Sequence, residues 1–328
     1  MWSSLLQAEE RVKKMENKKV FLPEEPLILQ NGMVFPSRVI MSPMEGIMNS
    51  PLFFRTVCEL SLADFWMPPF QGISPHAVPS PGALRKKYRI YLESGLPFFI
   101  QYLGHDPAAA AEAVRNAAAA GIKGVNFNFG CPSKTVLKSA SGGAVLKEPR
   151  LMEKMLLAAK NAVPGMTVSI KMRIGYSSFK ECKTLLNIVK NTGVDFVICH
   201  ARTVEEKYSF LSKDAIKERM DMAVEEAGNI PLFGNGDICG KEMADLYFSC
   251  GCSGIGIARG LLKDPWILER LKNKSCPDVS AGRKRFLEVY KNSLSGKKGK
   301  GTYAECIRLA YGEDSEEFRN MIRENRKG

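Results

Sequence analysis

Long apolar runs are missing from this sequence. No uninterrupted stretch approaches the ~18 residues that cross a bilayer, so no membrane association is expected. The first residues are also unlike a secretory signal, because Glu9, Glu10, Arg11, Lys13 and Lys14 charge them too heavily. Histidine is scarce: His76, His105 and His200 are the only three, and they lie far apart. Cys239, Cys250 and Cys252 lack a usual zinc spacing, so no metal site is expected. The 9 cysteines cannot all pair and form no compact framework, which points to free thiols in a reducing, cytoplasmic compartment. At 45% apolar and 25% charged residues, the composition excludes disordered and collagen-like chains and suits a soluble globular protein.

Acidic residues are in deficit, 35 against 47 Lys and Arg, for a net charge of +12. The excess is uneven: from Glu269 to Gly328, 15 basic residues stand against 9 acidic ones, half of the total imbalance in the last 60 residues. Clustered Lys and Arg displace condensed counterions from a phosphate backbone, so this end suits a polyanion. From charge alone, a solubilising tail is the alternative.

Residues 1–24 form a polar leader without a packing pattern; it is expected to be dispensable, with Met15 as an alternative start. Leu27 to Phe35 alternates around Asn31-Gly32, a tight-hairpin signal. Eight short β-branched or aromatic runs then begin at Arg38, Ala63, Phe98, Gly124, Val168, Phe196, Leu232 and Gly254. Between them lie helical stretches such as Asp106–Ala120 and Pro149–Ala162. Eight such units predict an α/β fold, a (β/α)₈ TIM barrel over residues 25–273, with a doubly wound open sheet as the alternative. Past Ser275-Cys-Pro277 the alternation fades into a short basic helical domain, residues 277–328. Its expected helices are Arg283–Ser293, Tyr303–Tyr311 and Ser315–Asn325, with a solvated Gly and Lys loop over 295–301. A monomer is expected.

Barrel active sites gather at the C-terminal ends of the strands, and polar residues collect there in this chain. Lys171, His200 and Gln101 stand in otherwise apolar strands, which is costly unless they face a polar site. Together they suit the edge of a flavin ring, whose reduction puts negative charge near N1 and the C2 carbonyl. Gly234-Asn-Gly236 and Gly254 to Gly260, with Arg259, suit a phosphate. Cys131, in Asn128-Phe-Gly-Cys131-Pro132, leaves the fourth strand where a thiol could act as general acid or nucleophile.

These motifs resemble the tRNA-dihydrouridine synthase family. The resemblance rests on Ser42-Pro-Met-Glu-Gly46, Gln101-Tyr-Leu-Gly104, Asn128 to Val136 with Ser141 to Leu146, Ser169 to Gly175, His200-Ala-Arg-Thr203, Gly234 to Ile238, and Ile257 to Gly260 with Asp264-Pro-Trp266. It runs from about Arg38 to Ile267, and the Asn-x-Gly-Cys-Pro stretch with its downstream Gly-Gly is the specific part. It implies an FMN enzyme that reduces the C5=C6 bond of uridines in tRNA. NADPH would be the reductant and Cys131 the proton donor to C5. By the same resemblance, Gln101, Lys171 and His200 would hold the flavin ring, Pro43 and Met44 would line it, and Asn235, Gly236, Ala258 and Arg259 would hold the phosphate region. Asn128 and Arg202 would bind the substrate. After Thr203 the family usually continues to a Tyr and an Asp-Trp pair; this chain keeps Tyr208 but has Ser212-Lys-Asp214. A flavin oxidoreductase acting on a small pyrimidine and a flavin-free RNA-binding barrel are the rival readings.

Overall fold

The computed structural model describes residues 21–294 and 297–327, so most of the leader lies outside the described residues. The first elements are β1 (Leu27–Ile28) and β2 (Val34–Phe35), antiparallel with Leu27 opposite Phe35. This is the hairpin expected at Asn31-Gly32, where Gly32 takes the positive φ of 85° that the turn requires.

Next come the barrel strands β3 (Val39–Met41), β4 (Gln71–Gly72), β5 (Ile100–Leu103), β6 (Gly124–Phe129), β7 (Thr167–Arg173), β8 (Phe196–His200), β9 (Leu232–Asn235) and β10 (Gly254–Ile257). They form one parallel sheet of eight strands in the order β3-β10-β9-β8-β7-β6-β5-β4. Helices including Pro51–Glu59, Pro107–Ala119, Pro149–Ala162, Cys182–Thr192, Lys213–Ala227 and Lys241–Ser249 cover its outer face. Two proline-led helices begin as expected: Asp106 caps the first of them by accepting from the Ala109 N–H at 2.7 Å.

The second expected strand, Ala63–Met67, is the exception. Only Trp66 pairs, through single parallel bridges to Met41 and Phe98, and these link β3 to the start of β5 and close the barrel. Pro68 and Pro69 follow directly and carry no N–H, so the ladder stops and resumes at β4.

Side chains alternate across each strand, so the two faces of one strand have different fates. In β8, Val197 and Cys199 join the large apolar cluster shared with the outer helices, while Phe196 and Ile198 join a smaller one inside the barrel. That inner cluster also holds Leu29, Phe35, Phe65, Phe99 and Phe233. Phe35 of the hairpin packs on Phe65, Phe196, Phe233 and Phe99 at centroid distances of 4.5, 5.3, 5.8 and 6.0 Å. The N-terminal end of the barrel is thereby plugged with aromatic rings.

The C-terminal helices Val279–Ser293, Lys297–Tyr311 and Glu316–Lys327 follow. Phe286 and Tyr290 pack edge-on against Phe53 at 5.4 and 5.7 Å, and Tyr303, Cys306 and Ile307 belong to the same core. The second of these helices starts at Lys297, so part of the expected loop is helical. Its buried face docks on the barrel, and helix propagates cooperatively outward from such a packed segment. Among the described residues, no helix is long and apolar enough to cross a membrane.

Candidate active site

The inward positions of the strands change from apolar to polar toward their C-terminal ends. On β8 the series is Phe196, Ile198, His200; on β7 it is Ser169, Lys171, Arg173; on β6 it is Asn126, Asn128. Parallel register sets Asn128 beside Lys171, and His200 beside both Arg173 and Asn235. The result is a cavity of about 430 Å³ at the open end. Pro43, Met44, Gln101, Asn128, Cys131, Lys171, His200, Asn235, Gly236, Ala258 and Arg259 all line it.

An amide chain forms its inner wall. Ser169 Oγ donates to the Val125 carbonyl (3.1 Å) and accepts from Asn126 Nδ2 (2.9 Å), and Asn126 Oδ1 accepts from Gln101 Nε2 (2.7 Å). Gln101 Oε1 then accepts from Asn128 Nδ2 at 2.9 Å. Asn128 Oδ1 accepts the N–H groups of Gly130 and Cys131, each at 3.0 Å, and so holds the Cys131 loop against the strand end. Gly142 and Gly143 back this loop: a Cβ at Gly143 would come within 3.1 Å of the Cys131 carbonyl and closer still to Val204.

Burial is the largest influence on the Cys131 thiol and pushes its pKa up, against the opposing effects of the Ser133 backbone, Lys171 and Arg173. At neutral pH this thiol holds its proton. Burial and the neighbouring Arg173 lower Lys171 to about 8. Among the described residues, no hydrogen bond or carboxylate reaches Lys171 Nζ. His200 is held well below its ordinary pKa by burial and by the cations around it, Lys171 first. Its Nδ1 accepts from the Arg202 N–H at 3.1 Å, so the neutral ring carries its proton on Nε2.

On the opposite side, Tyr247 donates its hydroxyl to the carbonyls of Asn235 and Gly236, and Asn235 Nδ2 donates to the Gly256 carbonyl at 2.6 Å. Gly236 has φ of 128°, and a Cβ there would stand 3.2 Å from His200 Nε2. Asp237 receives Arg259 at 2.7 Å and Arg202 at 2.5 Å. Arg202 is buried and is not among the cavity-lining residues; its other hydrogen bond goes to the Ser209 carbonyl at 2.6 Å.

Three groups of lining residues had no role assigned from sequence. Glu45, Pro69 and Phe70 come from the first two βα loops. Tyr208 lies with its ring 5.5 Å from the Arg173 guanidinium and 5.7 Å from that of Arg259. Glu305, Arg308 and Leu309 reach the cavity from helix Lys297–Tyr311, and Arg308 is ion-paired to Glu305. An amphipathic pattern identifies that helix, but nothing local shows that it lies over the mouth. Among the described residues, no group of three or more His, Cys, Asp or Glu could hold a metal ion.

A closed, plugged floor and a polar mouth built from strand ends define a barrel enzyme with its active site at the C-terminal face. Solved structures that share its fold include morphinone reductase (TM-score 0.55, 13% identity, 80% of this chain and 93% of that one) and the old yellow enzyme from Trypanosoma cruzi (TM-score 0.54, 12% identity, 84% and 99%). Residues 40–305 match the family described as Dihydrouridine synthase (Dus), and the chain belongs to that family. Curated relatives include the tRNA-dihydrouridine(16) synthases of Vibrio parahaemolyticus (28% identical, 87% of this chain and 91% of the relative) and Escherichia coli O157:H7 (30%, 79% and 84%). The Haemophilus influenzae protein of the same name is 30% identical over 73% of this chain and 77% of its own length.

Proposed function

We propose that this protein reduces the C5=C6 bond of a uridine in tRNA to 5,6-dihydrouridine, with FMN in the cavity and NADPH as reductant. The names of the relatives support position 16 as the target. The observation that carries the reading is the grouping, within one cavity, of a proton-holding thiol, a chain of amides and a half-buried lysine that no described residue pairs.

The residues fit the flavin. Among the described residues none gives Lys171 an anion, and the electron-rich edge of a flavin ring would supply one. Gln101 and His200 would hold the ring with it, and Pro43 and Met44 would line it. Gly236, where a side chain would meet Tyr247 and His200, leaves backbone open to the phosphate region beside Asn235, Ala258 and Arg259. When bound, FMN reduced by NADPH supplies the hydride for uracil C6.

The chain's own groups do the rest. Asn128 spends its oxygen on the Cys131 loop and one N–H on Gln101, which leaves its second N–H for a uracil carbonyl. Cys131 gives its proton to C5 and regains one from solvent. A planar base attacked from two sides must leave its stack, so the uridine enters flipped out of the tRNA. Arg202 serves the substrate through Asp237 and Ser209, whose positions it holds. The exposed Lys284, Lys291 and Arg319 of the C-terminal helices would meet tRNA phosphates. The enzyme would work as a cytoplasmic monomer.

Dihydrouridine mapping of tRNA from cells with and without the gene tests the reading. Loss of one dihydrouridine in the deletion strain, restored by the wild-type protein and not by Cys131→Ala, is expected. Purified protein that is colourless and takes up no FMN overturns it, as does turnover of free uracil in preference to tRNA.

A further inference from the structure

Phe210 is 88% exposed, more than any other large apolar side chain among the described residues; Tyr208 follows at 68%. A loose loop would explain that exposure, but this loop is held firmly. Arg173, itself buried, donates to the carbonyls of Thr203 (2.7 Å) and Lys207 (2.6 Å). Arg202 holds the Ser209 carbonyl, and the Ser209 N–H reaches the Glu206 carbonyl at 2.9 Å. The Glu206 carboxylate in turn pairs with Arg219 at 2.7 and 2.9 Å and accepts the Thr203 N–H at 2.8 Å. The chain is therefore fixed up to the residue before Phe210, and Leu211 just after it packs on the core.

The position matters as much as the exposure. Tyr208, two residues earlier and so within about 7 Å of chain, lines the cavity between two guanidinium groups. Phe210, an exposed ring two residues from this cation-flanked tyrosine at the edge of a nucleobase pocket, has the makeup of a single-strand stacking platform. A uridine that leaves its stack also strips its neighbour of a stacking partner, and this loss opposes flipping.

We propose that Phe210 stacks on an unpaired RNA base next to the uridine that enters the cavity, replacing the contact that the uridine gives up. This rests on the tRNA-reducing reading above. Phe210 is a positioning residue: it touches neither the reacting uracil nor the flavin.

The test uses the full chain, FMN-loaded, with tRNA lacking dihydrouridine. Phe210→Ala is expected to raise the KM for tRNA about fivefold, the weaker end of what one base stack is worth, with the rate of flavin reduction by NADPH unchanged. Phe210→Trp restores the KM and Phe210→Leu does not, because stacking needs a π face. A 2-aminopurine placed beside the target uridine is quenched on binding wild type and Phe210→Trp, and stays bright with Phe210→Ala. Equal KM and equal quenching in Phe210→Ala and wild type overturn the proposal, and so does full function in Phe210→Leu. If wild type forms no dihydrouridine in tRNA, the functional reading itself fails, a result separate from these.

Discussion

The two ends of the barrel are made by the same strands and share almost no chemistry. At the floor, inward positions carry Phe99, Phe196 and Phe233, sealed by Phe35 of the hairpin. Two to four residues further along, the inward positions carry Gln101, His200 and Asn235. A strand that begins as core and ends as active site lets packing at one end hold the other rigid. The buried polar groups at the mouth are expensive, and the floor offsets that cost without touching the site. Changes at the mouth should therefore alter chemistry with little effect on stability, and changes at the floor the reverse.

The largest expected effect is at Cys131. Cys131→Ala should slow single-turnover dihydrouridine formation by roughly 10²- to 10⁴-fold, the range general-acid catalysis supplies, while the urea-unfolding midpoint stays near wild type. A large fall in stability would break the division between the two ends. Phe196→Ala should do the opposite, costing about 3–5 kcal/mol in urea unfolding while folded molecules keep their FMN affinity.

Lys171 sharpens the comparison, because it sits at the mouth yet its titration is set by burial. Its charged form predominates below about pH 8 and is lost above it. FMN affinity should therefore fall as pH rises through 8, in fluorescence titrations, and Lys171→Met should flatten that profile while weakening binding at pH 7 by about tenfold or more. The linkage to folding runs the other way: the folded state binds this proton less readily than the unfolded chain does. Stability contributed by this group thus rises with pH between about 8 and the ordinary lysine value.

The smallest effect concerns a third region, the C-terminal helices. Replacing both exposed residues Lys284 and Lys291 by Gln should weaken tRNA binding and reduce the slope of log K against log salt by roughly one to two, if each neutralises one phosphate. FMN affinity should not change. A change in flavin binding would tie this surface to the mouth more closely than Glu305, Arg308 and Leu309 already do.

Much of this site was legible in sequence, because a lysine or histidine inside an apolar strand announces itself. Lys171, His200, Gln101 and Asn128 do so by local pattern, and strand direction puts them at one end. The resemblance set Arg202 beside them as a substrate-binding residue, yet it is turned to Asp237 and Ser209; which cation faces the cavity depends on which carboxylate folds beside it. Glu305 and Arg308 were invisible for a different reason. Their place over the mouth follows from Phe286 and Tyr290 packing on Phe53, a contact across more than 230 residues of chain. Strand Ala63–Met67 was expected to be regular, but the two prolines after it left Trp66 to make the closing contacts alone.

The sequence by itself determined the repeating strand and helix units, the hairpin and the polar strand ends, because alternation and turn chemistry act over a few residues. The tertiary structure decided barrel closure through Trp66, the cavity shared with the C-terminal helix, the Lys171 ammonium left unpaired among the described residues and the exposed ring of Phe210. Each of these depends on which distant groups come to lie beside a residue, and on how much water that packing removes.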